Sequence, residues 1–212
     1  MIASSLLLAA STATLPRYRA GDAFVFSDGR VERVIRVRGD TITWSGLTGA
    51  NYARSRNFAV PVLAWRSGRG NGRREIRGTP GDLWPLGTPR SVRFRVIAET
   101  RTKPTAAWRR TVTLWTCKSQ KARLITVKLG TYEAIPVTCD RYSGTSMRLI
   151  ERLSWSYAPA LSHYVQRSSI DYIRGTKTSI EMTAALTGPA ANQRRLAALS
   201  REARQTNRTS SR

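Results

Sequence analysis

Two cysteines, one histidine and a run of arginines are the residues in this sequence with chemistry to offer. Cys117 and Cys139 both sit in segments that read as strands, with a hairpin-like stretch between them. In an oxidising compartment they are expected to pair. The chain-entropy model assigns about 3 kcal/mol to closing a loop of this length. Two buried thiols, or a reactive thiol beside the histidine, are the alternatives. His163 lies in Ser162-His163-Tyr164, where packing or a polar role at a strand tip is the plain reading. A catalytic triad would need a nucleophile and a carboxylate brought beside it. One histidine and a cysteine pair are too few for a zinc site of the usual kind, so neither metal nor cofactor is expected. The stretch Gly78-Thr79-Pro80-Gly81 lacks the spacing and the following lysine of a phosphate loop. No catalytic residue is assigned.

The arginine run, residues 66–82, reads RSGRGNGRREIRGTPGD. Arg66, Arg69, Arg73, Arg74 and Arg77 make it the densest basic segment and the candidate polyanion-binding residues. An arginine- and glycine-rich run can track a nucleic-acid backbone, but such grooves interleave aromatic rings with the cations. None is interleaved here, so a solvated loop between two lobes is the plainer reading. The whole chain is basic, with 36 Lys and Arg against 13 Asp and Glu and a formal charge of +23. A field of that sign attracts polyanions such as nucleic acid, anionic lipid or acidic glycans. The cations are spread along the chain rather than clustered, as they are when arginine fills ordinary solvent-facing strand positions.

The elements that position these residues read almost entirely as strands. Phe24 and Phe26 share a face, and so do Ile42 and Trp44, between turns at Asp28-Gly29 and Gly39-Asp40. Residues 58–65 read as an apolar strand that Pro61 demotes to an edge or a bulge. Val92, Phe94 and Val96 point one way with Arg93 and Arg95 the other; Val112 and Leu114 oppose Trp115 and Cys117. Such period-two alternation over many segments predicts a mainly β, antiparallel meander. It is expected to form a curled sheet or half-barrel, either as one sheet or as two lobes. Only residues 190–204 read as helix, short and C-terminal, with Leu196, Leu199 and Ala203 on one side after Gly188-Pro189.

Residues 1–13, MIASSLLLAASTA, combine a short apolar run with small residues suited to a cleavage site. No basic residue precedes the run; the first is Arg17. The run is too short to span a bilayer, which takes about 20 apolar residues. No cysteine lies beside it, so anchorage through an N-terminal lipidated cysteine is not expected. The resulting division is a signal-like segment 1–13, an N-terminal β lobe 14–65, the Gly/Arg-rich loop 66–82, a C-terminal β lobe 83–184 carrying the cysteines, and a helix with a basic tail 185–212.

Trp115-Thr116-Cys117, the run from Ile125 to Ala134 and Val137-Thr138-Cys139 form a pattern of two strands joined by a Gly-Thr-aromatic step. With Trp155-Ser156-Tyr157-Ala158-Pro159, His163-Tyr164-Val165, Asn57-Phe58 and Leu83-Trp84-Pro85-Leu86, it resembles uncharacterised proteobacterial envelope proteins. The resemblance implies a curled antiparallel sheet, as in periplasmic half-barrel domains of unknown function, and implies no activity. The leading expectation is therefore a non-catalytic, periplasmic or secreted domain with a binding or structural role. Its partner would be an envelope protein complex or an anionic cell-surface polymer. A nucleic-acid-binding protein with reduced cysteines, and a hydrolase using His163, are the alternatives.

Overall fold

The computed structural model describes residues 12–68, 70–103 and 105–209. Nearly all of the signal-like segment, and Arg69, lie outside the described residues. Thirteen strands run in chain order: β1 (Ala23–Phe26), β2 (Val31–Arg38), β3 (Thr41–Ser45), β4 (Asn51–Ser55), β5 (Ala64–Ser67), β6 (Gly70–Gly78), β7 (Arg90–Arg101), β8 (Arg109–Ser119), β9 (Arg123–Val127), β10 (Gly130–Ser143), β11 (Leu149–Ala158), β12 (His163–Asp171) and β13 (Thr176–Leu186). One helix follows, α1 (Gln193–Thr209).

The sheet closes on itself, which overturns the expected open curled sheet or half-barrel. β1 pairs with β2 on one side and with β13 on the other, Ala23 opposite Leu186. β10 pairs with both β8 and β11, Cys139 lying opposite Cys117 and Leu153. Twelve antiparallel strands thus form a barrel, and β9 is an extra strand laid against the start of β10. The physical reason is the edge: every open sheet leaves two rows of unpaired backbone groups, and closure removes both. Period-two alternation is the same in an open and a closed sheet, so the sequence pattern could not separate them.

There are no two lobes either. The stretch expected as a loop, residues 66–82, contains β6, whose residues Asn71 to Gly78 pair with Arg101 to Phe94 of β7. Gly72 has a specific reason to be glycine: a Cβ there would stand 2.3 Å from the ring of Trp65. The stretch expected as a strand, residues 58–65, is strand only from Ala64; Phe58, Ala59 and Val60 instead fold inward and are buried. They help close one end of the barrel together with Leu83, Trp84 and Leu86, which are also buried, while Ala13 bridges to Leu86.

Alternation decides what faces the lumen. Phe24, Phe26, Ile42, Trp44, Phe94 and Trp115 point in, as their spacing predicts, and join one core. The opposite face of β1 is covered by α1, where Leu196 and Ala203 pack on Ala23, Val25 and Val31. Ser200 Oγ donates to the Gly29 carbonyl at 2.6 Å. The helix starts three residues later than its pattern suggests, because Gly188-Pro189 opens a 3₁₀ turn and the Asn192 side chain caps the Arg195 N–H.

Candidate functional site

The lumen has two halves. One is filled with rings. Phe58 stacks on Tyr157 at 5.3 Å and meets Trp84 and Trp155 edge-on. His163 stacks on Phe24 at 3.9 Å, and Phe26 on Tyr164 at 5.3 Å. His163 is thus a buried packing residue. The hydroxyl of Tyr18 lies 2.8 Å from its Nδ1, and its Nε2 faces Glu32 Oε2 at 3.4 Å. Burial lowers the imidazole pKa, outweighing Glu32, which raises it. With a neutral ring, Tyr18 donates to Nδ1 and the ring proton sits on Nε2 toward the carboxylate, the tautomer these partners select.

Glu32 is the seam between the halves. Tyr164 donates to its Oε2 at 2.8 Å, and Arg54 Nη1 stands 3.7 Å from the same oxygen. Burial alone would raise the carboxyl; the Arg54 charge, with His163 and Tyr164, more than offsets it and holds the group well below the usual carboxylate range. Burial would likewise lower the Arg54 guanidinium, but Glu32 and the neighbouring tyrosines keep it charged.

The other half encloses a cavity of ≈250 Å³. Arg54, Arg74, Arg141 and Arg167 line it with one carboxylate, Glu151, and its apolar wall includes Phe58, Trp115 and Trp155. Each arginine arrives by inward parity. Arg54 stands opposite Ile42, Arg74 opposite Ala98, Arg141 opposite Trp115 and Arg167 opposite Trp155. Arg74 is braced by the Val62 carbonyl at 2.7 Å and by the Trp65 ring at 4.4 Å. Burial, then the charges of Arg141 and Arg54, pull its guanidinium down to about 10. Arg141 Nη2 pairs with Glu151 at 3.2 Å. Yet the buried Nε of Arg54 and the buried Nε of Arg141 have no hydrogen-bond partner among the described residues. Four other buried side-chain nitrogens among the described residues lack hydrogen-bond partners too, on Arg33, Trp44, Trp84 and His163, but none of these residues lines the cavity; two charged donors unpaired in one cavity call for an explanation.

Of the candidate arginines read from the run 66–82, only Arg74 reaches this cavity. Arg66 lines a neighbouring groove with Tyr52 and Trp65. Arg73 faces out and pairs with Glu99 at 2.6 Å, and Arg77 pairs with Glu75 at 2.7 Å on the surface. Arg54, Arg141 and Arg167 were missed. Their signal was present: Arg141 is two residues beyond Cys139 on the same inward parity. Cys117 and Cys139 are joined by a disulfide in the barrel wall, with S–S 1.98 Å. No cluster of three or more metal-ligating side chains occurs among the described residues.

No protein-family model matches the chain, and no curated protein matches it either. Solved structures do. The hypothetical lipoprotein YmcC from Escherichia coli K12 is 6% identical, with a TM-score of 0.51 over 77% of this chain and 82% of that one. A protein from Bacteroides fragilis with a YmcC-like fold, assigned as exported, is 8% identical with a TM-score of 0.44 over 84% of this chain and 100% of that one. This chain has a YmcC-like fold. At such identity the likeness is one of fold alone. The sequence resemblance to envelope β-domain proteins is supported at the level of fold, and its restriction to proteobacterial proteins is not.

Proposed function

We propose that this chain is a non-catalytic binding domain of the bacterial envelope, and that its lumen receives an anionic group of its partner. The observation that carries this is the pair of unpartnered guanidinium Nε donors on Arg54 and Arg141, in a cavity whose lining holds four arginines and one carboxylate. A same-sign cluster removed from water is costly unless countered. A carboxylate or phosphate would counter it, and arginine's planar fork suits either. The aromatic wall would take the apolar face of whatever carries the charge. An acidic group presented by an anionic cell-surface polymer fits these demands, as does one presented by an envelope protein.

Envelope placement is supported by three things: the signal-like residues 1–13, the Cys117–Cys139 disulfide, and the naming of YmcC as a lipoprotein. The disulfide favours this reading over a nucleic-acid-binding protein with reduced cysteines. His163 is absent from the cavity lining and held among rings, which favours binding over hydrolysis.

The test is thermal unfolding at constant ionic strength in chloride, inorganic phosphate or glucuronate. The expected result is a higher Tm in phosphate or glucuronate than in chloride, with the difference lost in Arg141→Met. Equal Tm in all three salts, or a difference that survives the substitution, would overturn the reading.

A further inference from the structure

Six large hydrophobic side chains are exposed among the described residues: Ile35, Trp108, Leu124, Met147, Tyr172 and Ile173. Four of them fall on three hairpin tips. Trp108 lies on the turn between β7 and β8, Met147 on that between β10 and β11, and Tyr172 and Ile173 on that between β12 and β13. Neighbouring strands are antiparallel throughout, so these turns share one end of the barrel. Strand order β7-β8-β10 continues through the β10–β11 pairing to β12 and β13, so the three hairpins follow one another around the rim. The exposures are high for such residues: Trp108 48%, Met147 59%, Tyr172 39% and Ile173 58%. Trp108 is fixed by Arg101, whose guanidinium stacks over its ring at 4.8 Å.

The charge on the same tips is one-sided. Lys103, Arg109, Arg110, Arg148, Arg174 and Lys177 are all exposed there. The turns themselves hold no carboxylate; Glu99, Glu151 and Asp171 stand on the flanking strand ends, and Asp171 accepts the backbone N–H groups of Ile173 and Arg174. Apolar tips set in a ring of cations match the boundary of an anionic bilayer. Tryptophan and tyrosine favour the headgroup level, and Lys and Arg stems lie along apolar surface while their charges reach phosphates. Each cation near such a surface contributes on the order of 1 kcal/mol, so half a dozen make a firm electrostatic dock. A soluble protein partner would more often meet a patch depleted of lysine at its centre.

We propose that this rim, with Trp108, Met147, Tyr172 and Ile173 at its tips, docks the barrel on an anionic lipid surface. The lumen cavity reaches the same end at Thr100, Thr111 and Glu151, one or two residues from the ends of their strands, so docking would turn it toward the membrane.

Co-sedimentation of the purified protein with vesicles tests the proposal, comparing phosphatidylcholine with a phosphatidylcholine–phosphatidylglycerol mixture at physiological salt. The expected result is at least about tenfold stronger binding to the anionic vesicles, with a blue shift of the tryptophan emission that is absent in the single variant Trp108→Phe. A triple variant Trp108→Ser, Met147→Ser, Ile173→Ser should lose about tenfold of that affinity while its thermal unfolding is unchanged, since these side chains are exposed. Leu124→Ser, on the exposed face of β9, should bind as the wild type does. Equal binding to both vesicles, no binding, or binding that survives the triple variant would overturn the proposal; the last would point to the distributed surface arginines instead.

Discussion

The two halves of the lumen are made by the same rule and end differently. Both are lined by every second residue of neighbouring strands. In the ring-filled half the volume is taken up by stacked and edge-on rings; the polar tips of Tyr18 and Tyr164 have partners in His163 and Glu32, while the neutral ring nitrogens Trp44 Nε1, Trp84 Nε1 and His163 Nε2 make no hydrogen bond among the described residues. In the other half the same inward positions carry four arginines around a cavity, and two of their buried donors lack partners. An interior filled with neutral rings is what stability alone selects. An interior that keeps uncompensated charge gives up stability, and such concessions collect where function needs them. The ring half is therefore read as the part that holds the barrel shut, and the charged half, on the function proposed above, as the part that binds.

If that division is right, damage to the ring half should cost the most and leave binding alone. Phe58→Ala removes a buried ring that touches Trp84, Trp155, Tyr157 and Tyr164. A loss of about 3–5 kcal/mol is expected, read from urea unfolding. Its Tm difference between phosphate and chloride should persist, because a bare inorganic phosphate is held by the arginines and Phe58, though it lines the cavity wall, supplies no donor. A loss under about 1 kcal/mol would mean that this end of the barrel collapses easily around the gap, and the contrast between the halves would fail.

The seam offers a smaller and sharper test. His163 is the one histidine in the chain, so its titration can be assigned. Burial depresses its pKa, and on unfolding the ring returns to an ordinary value near 6.5 and takes up a proton that the folded barrel refuses. Stability from this source is therefore complete above that value and falls as the pH drops below it. The loss grows with each step in pH below that value until the folded ring itself takes up the proton. The depressed Glu32 carboxyl adds a loss of the same sign, but only as the pH falls below its ordinary 4.5. Urea midpoints at pH 7.5, 6.5 and 5.5 separate the two. A flat response over that range would show that the imidazole is solvated, and the seam would not be dry.

Much of the ring half was legible in the sequence. The spacing of Phe24 with Phe26, Ile42 with Trp44, and Val92, Phe94 and Val96 placed them on common faces, and those faces became the lumen. The disulfide was legible for the same local reason, two strand cysteines near in sequence. Closure was not, because it depends on Ala23 meeting Leu186, a pairing set by the whole meander rather than by either strand. β6 was hidden by its glycines and arginines, which look like a loop until Gly72 is seen to make room for Trp65. The charged cavity was hidden by abundance. In a chain of net charge +23, arginine at an inward position looks like arginine anywhere, and only parity against Cys139, Tyr52 or Trp155 distinguishes Arg141, Arg54 and Arg167.

The smallest expected effect bears most directly on the comparison. Arg141→Met keeps the length and apolar stem of the side chain while removing its charge from a cluster of like sign. The loss of the 3.2 Å contact to Glu151 is unfavourable, but Arg74 remains to attract that carboxylate. The gain is relief for Arg74, which Arg141 helps to depress, and removal of a buried Nε without a partner. The two effects nearly cancel, and partly exposed pairs of this kind contribute at most about 1 kcal/mol. Unfolding in chloride should therefore shift by less than about 1 kcal/mol, in either direction. Destabilisation of several kcal/mol would show that Arg141 is a structural strut like Phe58. The charged half would then be a second core rather than a site.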